Sequence, residues 1–361
     1  MAIDTLDTRG AAPAARKTSE IIISADSHVM EPPDLWVERL PAEFRDAAPR
    51  FEARKSAEQT KTDQGRPGGH DPRARITEMQ TDGVSAEVLY PTLGLRLFGL
   101  DDARLQEACF RVFNDWLIDY CQVANDRLLG VACIPIYDTD VAIKELERSK
   151  KAGLAGALIW QAPHPDLPLY SDHYNRFWDA CQNLDMPISL HILTGHNYSK
   201  MGLERTGVES YRGSVNLKTA DAMNALFDLT FYGVLRRYPK LKIVIVENEI
   251  GWIPFTLQQW DYYYRRFRQA NPPPIDREPS EYFNRQVYAT FFNDAAGAHN
   301  FSWWGVDNCM WSNDYPHANS TWPDSLKVID RDLGHLPTED RAKLVRETVV
   351  KLYDMKLPTL A

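Results

Sequence analysis

No run of apolar residues in this chain approaches the roughly eighteen needed to cross a bilayer as a helix, so no membrane span is expected. Neither G-x-G-x-x-G nor G-x-x-x-x-G-K-S/T occurs, which removes the commonest backbone cradles for nucleotide phosphates. Positive charge is in deficit. Against 50 Asp and Glu there are 41 Lys and Arg, a net charge of −9. That balance argues against nucleic acid or an anionic membrane surface as the main partner. Cysteine is sparse, and none of the five (Cys109, Cys121, Cys133, Cys181, Cys309) forms a C-x-x-C pair. Each sits in an apolar pattern and reads as a reduced packing residue rather than a zinc ligand or half of a disulfide. Residues 1–19 contain no apolar core of the kind that opens a secretory leader. They read as a flexible arm ahead of a single domain at 20–361, and a cytoplasmic location is expected.

What is present is a regular alternation. Short apolar, β-branched runs recur: Ile21 to Ala25, Ser85 to Tyr90, Leu129 to Ile134, Gly156 to Trp160, Pro187 to Ile192, Leu241 to Val246, Gln286 to Phe292 and Asn308 to Ser312. Continuous apolar runs of this length read as strands buried on both faces, as in a parallel sheet. Helical patterns lie between most of them, at Arg73–Asp82, Asp102–Asn125, Asp138–Ala152, Ser171–Leu184, Val215–Tyr238 and Ile250–Gln269. Asp138 and Gly153 read as the N-cap and C-cap of the third. Eight strands alternating with helices predict an α/β fold, a (β/α)8 TIM barrel. The alternative, a doubly wound open sheet, usually brings a nucleotide loop, which is missing. A polar, Gly- and Pro-punctuated insertion at about 32–72 follows the first strand and is expected to act as a lid.

A barrel of this type gathers its chemistry at the carboxyl ends of its strands. The first strand ends in Ala25-Asp-Ser-His-Val-Met-Glu31, and strand alternation points Asp26 and His28 the same way. The fifth ends in His191, the sixth in Glu247 and the eighth in Asp314. Apolar strands that each finish in Asp, His or Glu would bring two imidazoles and several carboxylates to one rim, with no thiolate among them. That donor set suits Zn²⁺, Mn²⁺ or Fe²⁺. His317 is a candidate to donate to substrate or to orient Asp314. Trp160 and His196 are candidate pocket walls. His70, His164, His173, His299 and His335 have no supporting context. The run Trp260-Asp-Tyr-Tyr-Tyr264 reads as helix packing or a subunit contact.

The opening Asp26-Ser-His-x-x-Glu-Pro, the strand-five His191 and the closing Ser312-Asn-Asp-Tyr-Pro-His317 resemble the amidohydrolase-related group that includes aminocarboxymuconate-semialdehyde decarboxylase and the resorcylate decarboxylases. The resemblance covers nearly the whole chain after residue 19. It implies a metal-dependent barrel with Asp26, His28, His191 and Asp314 as ligands. Two departures stand out: Asp26 replaces a frequent His or Glu, and Glu247 stands where the decarboxylases commonly carry an acid/base His. Glu31 and Glu247 bring further carboxylates to the rim as candidate ligands, so one ion or two are accommodated. The aromatic load, 11% with ten Trp, together with the resemblance, suggests a homodimer or larger homo-oligomer.

The leading expectation is a metal-dependent hydrolase acting on a small carbonyl-containing molecule. A metal would lower the pKa of bound water, with Asp314, His317 and Glu247 handling protons. Glu247 in place of an imidazolium favours this over the alternative, a non-oxidative decarboxylase of an aromatic or enoic acid. A dinuclear-iron oxygenase on the same barrel is the third reading.

Overall fold

A computed structural model describes residues 20–51, 66–197, 208–301 and 305–358, without the side chains of 208–218. The expected arm at 1–19 and much of the expected lid, 52–65, lie outside the described residues. The described part contains eight strands: β1 (Ile23–His28), β2 (Ala86–Tyr90), β3 (Leu128–Cys133), β4 (Gly156–Ile159), β5 (Ile188–His191), β6 (Ile243–Val246), β7 (Val287–Phe291) and β8 (Cys309–Trp311). All run parallel in the order 1 to 8, each paired with the next. This is the expected (β/α)8 barrel. Side chains such as those of Ile243-Val-Ile-Val246 are fully buried, because the barrel interior covers one face of the strand and the helical ring the other.

Between β8 and β1 no ladder runs among the described residues. Two backbone bonds span the gap instead: Asp314 N–H to Asp26 O (3.0 Å) and His28 N–H to Tyr315 O (2.6 Å). The loop after β8 therefore closes the barrel.

Local signals act where the chemistry says they should. The Asp71, Asp102 and Asp138 carboxylates accept from the first free amides of helices Pro72–Asp82, Ala103–Cys121 and Thr139–Lys151. Ala152, rather than Gly153, caps the last of these, and Gly153 follows at φ +96°, a conformation that costs glycine little. Helix Pro279–Gln286 was not foreseen, since Pro272-Pro-Pro274 masks a short segment whose own Pro279 sits favourably in the first turn. The long helix Val208–Phe231 begins earlier than expected and stops before Gly233 (φ +75°).

The insertion after β1 is anchored at both described ends. Trp36, fully buried, donates its indole N–H to Cys109 O on helix Ala103–Cys121 (3.0 Å). At the far end, Arg66 donates to the carbonyls of Pro316 (2.8 Å) and His317 (2.6 Å). Asp138→Ala removes the acceptor for the Asp140 and Val141 amides. It is expected to lower stability by about 1 kcal/mol in denaturant unfolding, with metal content unchanged.

Candidate metal centre

The strand ends meet. Asp26 and His28, two apart on β1, both turn inward, with His28 Nε2 3.5 Å from Asp26 Oδ1 and 3.4 Å from Asp314 Oδ1. His191 Nε2 lies 3.7 Å from Asp26 Oδ1 and 3.8 Å from Glu247 Oε2. Ligand atoms of Asp26, His28, His191 and Glu247 fall within 4.8 Å of one another, as do those of His28, Asp314 and His317. Glu247 and Asp314 lie just beyond the strands expected to carry them, at φ +58° and +54°. Left-handed backbone at a non-glycine residue costs on the order of 1 kcal/mol or more. Here it is held by Thr290 Oγ1, which accepts from Glu247 N–H (3.0 Å), and by Asp26 O, which accepts from Asp314 N–H.

The hydrogen bonds fix what faces inward. His28 Nδ1 lies 2.8 Å from Pro91 O, and His191 Nδ1 lies 2.6 Å from Ile192 O. A carbonyl only accepts, so each Nδ1 carries a proton, and each ring in its neutral form turns an Nε2 lone pair to the centre. Both Asp26 oxygens, the two Nε2 atoms and Asp314 Oδ2 are buried without a hydrogen-bond partner. Lone pairs facing lone pairs in a dry site are expensive, and a divalent cation satisfies them together. The residues present fit such an ion, since imidazole and carboxylate ligands suit Mn²⁺, Zn²⁺ or Fe²⁺.

Burial lifts the Asp26 and Asp314 carboxyls above the ordinary range. It also pulls His28 well below its usual value, helped by the charges of His317 and His191. Burial pulls on His191 as well, but the facing carboxylates of Asp26 and Glu247 outweigh it and leave that imidazole raised. At His317, 24% exposed, burial is outweighed by Asp314, and the imidazole rises to about 9. Its Nδ1 is 2.9 Å from Asp314 Oδ1 and its Nε2 3.1 Å from Thr92 Oγ1.

Not every expected residue joins the cluster. Glu31 belongs to neither ligand set. Its carboxylate accepts from the backbone N–H of Thr92 (3.2 Å), Leu93 (2.9 Å) and Gly94 (2.9 Å), so it braces the loop after β2. Trp160 is buried, donating to Phe98 O (2.8 Å). His196 pairs with Asp101 (Nε2 to Oδ1, 2.8 Å), and its ring lies 4.4 Å from that of His164. With Tyr137, these rings form an aromatic wall beyond β3 to β5. His164 gave no sequence signal for that place. The Trp260 run lies on helix Ile253–Phe267, with Trp260 against Phe231 and Tyr262 and Tyr263 exposed. A cleft of about 420 Å³ among Phe44, Arg104, Arg111 and Lys144 sits on the outer helices and includes none of the ligand residues.

Under the ligands runs a buried polar layer that sequence reasoning missed. Arg75 donates to Glu87 (2.5 Å) and to His28 O (2.7 Å), and its guanidinium stacks 4.4 Å from the Tyr315 ring. Asp82 accepts from Ser325 N–H (2.9 Å) and Ser325 Oγ (2.6 Å). Polar residues inside otherwise apolar strands, such as Ser24 and Glu87, are the signal that pointed there.

Residues 25–355 match the model of the Amidohydrolase family. The chain belongs to that family. Its relatives include gamma-resorcylate decarboxylases from Polaromonas sp. (strain JS666), 28% identical over 72% of this chain and 82% of that one, and Rhizobium sp. (strain MTP-10005), 25% identical over 71% and 79%. Among solved structures, an amidohydrolase of Mycobacterium avium subsp. paratuberculosis superposes with a TM-score of 0.77 at 17% identity, over 93% of this chain and all of that one. The 5-carboxyvanillate decarboxylase of Novosphingobium aromaticivorans, solved with manganese and a nitrobenzoic acid, gives 0.73 at 19% identity, over 93% and 97%. These structural likenesses establish the barrel.

Elemental analysis of the purified protein is expected to find a divalent transition metal, with His191→Ala and Asp314→Asn each losing most of it; unchanged content in both would dissolve the centre. A second expectation concerns Asp82, whose carboxyl burial lifts from 3.8 to about 6. A raised folded pKa means that its contribution is most favourable below its unfolded value and is lost as pH rises through 6. Relative to Asp82→Asn, the unaltered chain should lose stability between pH 4 and 7. The loss is at most on the order of 3 kcal/mol, from 1.36 kcal/mol per unit, read as a pH-dependent difference in Tm.

Proposed function

We propose that this chain is a metal-dependent decarboxylase of a small hydroxylated aromatic acid, and one observation carries the reading. The inward-facing acceptors lie directly against a proton-handling pair, Asp314 and His317, whose imidazole is bonded through both nitrogens and reaches the surface along one edge. The sequence tilted towards hydrolysis because Glu247 supplies no imidazolium on β6. His317 supplies one from the loop after β8, so the lack of a histidine at 247 does not remove the acid. The curated relatives, named as decarboxylases, point the same way.

Asp26, His28, His191 and Asp314 would hold a divalent cation, which would supply Lewis acidity there. This chain's own groups do the rest. Decarboxylation breaks the bond from ring carbon to carboxylate, leaves the electron pair on that carbon and releases CO₂, and the carbon takes up one proton. Asp314, buried with a raised carboxyl, is placed to deliver that proton, and His317 Nδ1–H to restore it from solvent. Glu247 favours the second reading, hydrolysis, because a carboxylate grouped with Asp26 and His191 can accept a proton from water.

Metal-loaded protein is to be incubated with 2,6-dihydroxybenzoate, 5-carboxyvanillate and related phenolic acids while CO₂, O₂ and product are followed. CO₂ release without O₂ uptake is expected. His317→Asn should lower kcat by roughly 10²-fold or more, the scale of general acid catalysis, with little change in KM. Hydrolysis of esters or lactones without CO₂ from any acid would favour the hydrolase. O₂ uptake with two irons per chain would favour an oxygenase.

A further inference from the structure

We propose that Asn313 is a positioning residue for the metal centre: its side-chain amide clamps the gap between β8 and β1 and so sets the spacing of Asp26 and His28 against Asp314. The proposal rests on the metal-centre reading above. Asn313 is buried and immediately precedes Asp314. Its Oδ1 lies 3.0 Å from Ser24 Oγ, 2.8 Å from Ser27 Oγ and 3.1 Å from Tyr315 N. Its Nδ2 donates to Asp82 Oδ2 (3.3 Å) and Glu87 Oε1 (3.2 Å), and its backbone N–H donates to Ser24 Oγ (2.9 Å).

The orientation of the amide is forced. Tyr315 N–H can only donate, so Oδ1 must face it, which turns Nδ2 towards the carboxyl oxygens of Asp82 and Glu87. Asparagine alone among side chains of this size offers an acceptor at one end and two donors at the other. Aspartate has the same shape but would bring a third carboxylate against Asp82 and Glu87.

The place of these bonds gives them their consequence. The register of β1 on β2 shifts between Ser24 and Ser27, and the two hydroxyls come within 3.0 Å of each other. Both then face Asn313, while Asp26 and His28 face the ligand cluster. Among the described residues, only Asp314 N–H to Asp26 O and His28 N–H to Tyr315 O supplement this clamp in the backbone across the gap. Each of those bonds involves a ligand residue or its immediate neighbour. Loosening Asn313 therefore moves ligands rather than a distant surface, and Asp314 sits at a strained φ of +54° that relaxes if released.

The test measures Mn²⁺ affinity by electron paramagnetic resonance, and thermal stability without metal, for Asn313→Ala, Ser27→Ala and the control Ser325→Ala. Ser325 bonds the same Asp82 carboxylate but from outside the gap. Expected are Mn²⁺ dissociation constants raised ten- to a hundredfold in Asn313→Ala, the usual range for residues supporting ligands. Ser27→Ala should rise about threefold or more, in keeping with loss of a single outer hydrogen bond, and Ser325→Ala less than twofold despite a lower Tm. Ser27→Ala decides the matter if Asn313→Ala does not fold. The proposal is overturned if affinity in the folded gap variants stays within twofold of the unaltered chain, or if Ser325→Ala loses as much. Failure of the unaltered chain to bind Mn²⁺ would overturn the metal centre itself, and this inference with it.

Discussion

The constraint on which the rest of the molecule depends is the desolvation of lone pairs. Asp26, His28, His191 and Asp314 present oxygen and nitrogen acceptors to one another in a site without solvent. Backbone carbonyls accept the Nδ1 proton of each imidazole. Such an arrangement cannot relax by rotating a hydroxyl or trading a hydrogen bond. A cation among the lone pairs would satisfy them together, and the low dielectric of the buried site would strengthen their grip on it. The barrel makes this arrangement attainable, because it brings strand ends far apart in sequence to one rim.

Supporting parts of the structure serve that rim. Glu31 braces the loop after β2, Thr92 in that loop meets His317, and His317 meets Asp314. Arg75 holds the carbonyl of His28 from below, and Arg66 holds the carbonyl of His317 from the side. Each ligand-bearing segment is thus restrained through its backbone as well as its side chain. Left-handed residues cluster after β5, β6 and β8, at Leu193, Glu247, Glu249 and Asp314. Such conformations persist where the surroundings over-determine them.

The barrel was legible because its strands read as apolar runs with a polar full stop. Ile243-Val-Ile-Val followed by Glu247, and Ile188-Ser-Leu followed by His191, announce both a buried strand and a group placed at its end. Glu31 stands outside both ligand groups for a physical reason: three backbone amides satisfy a buried carboxylate, and a sequence does not show where loop amides point. His317 is a candidate for substrate contact or for orienting Asp314, and the fold sets its Nδ1 2.9 Å from Asp314 Oδ1. Asn313 and Arg75 were invisible as participants, since their partners lie on β1, β2 and the last turn of helix Pro72–Asp82 and are brought together only by the fold. Helix Pro279–Gln286 was hidden by the prolines before it.

The measurement that bears most directly on the acceptor cage is an anomalous difference map from crystals grown with Mn²⁺. The account predicts a peak roughly 2 Å from His28 Nε2 and His191 Nε2, with carboxylate oxygens of Asp26 and Asp314 completing the shell. A map without density among these residues, or with the ion held only by exposed carboxylates elsewhere, would contradict it.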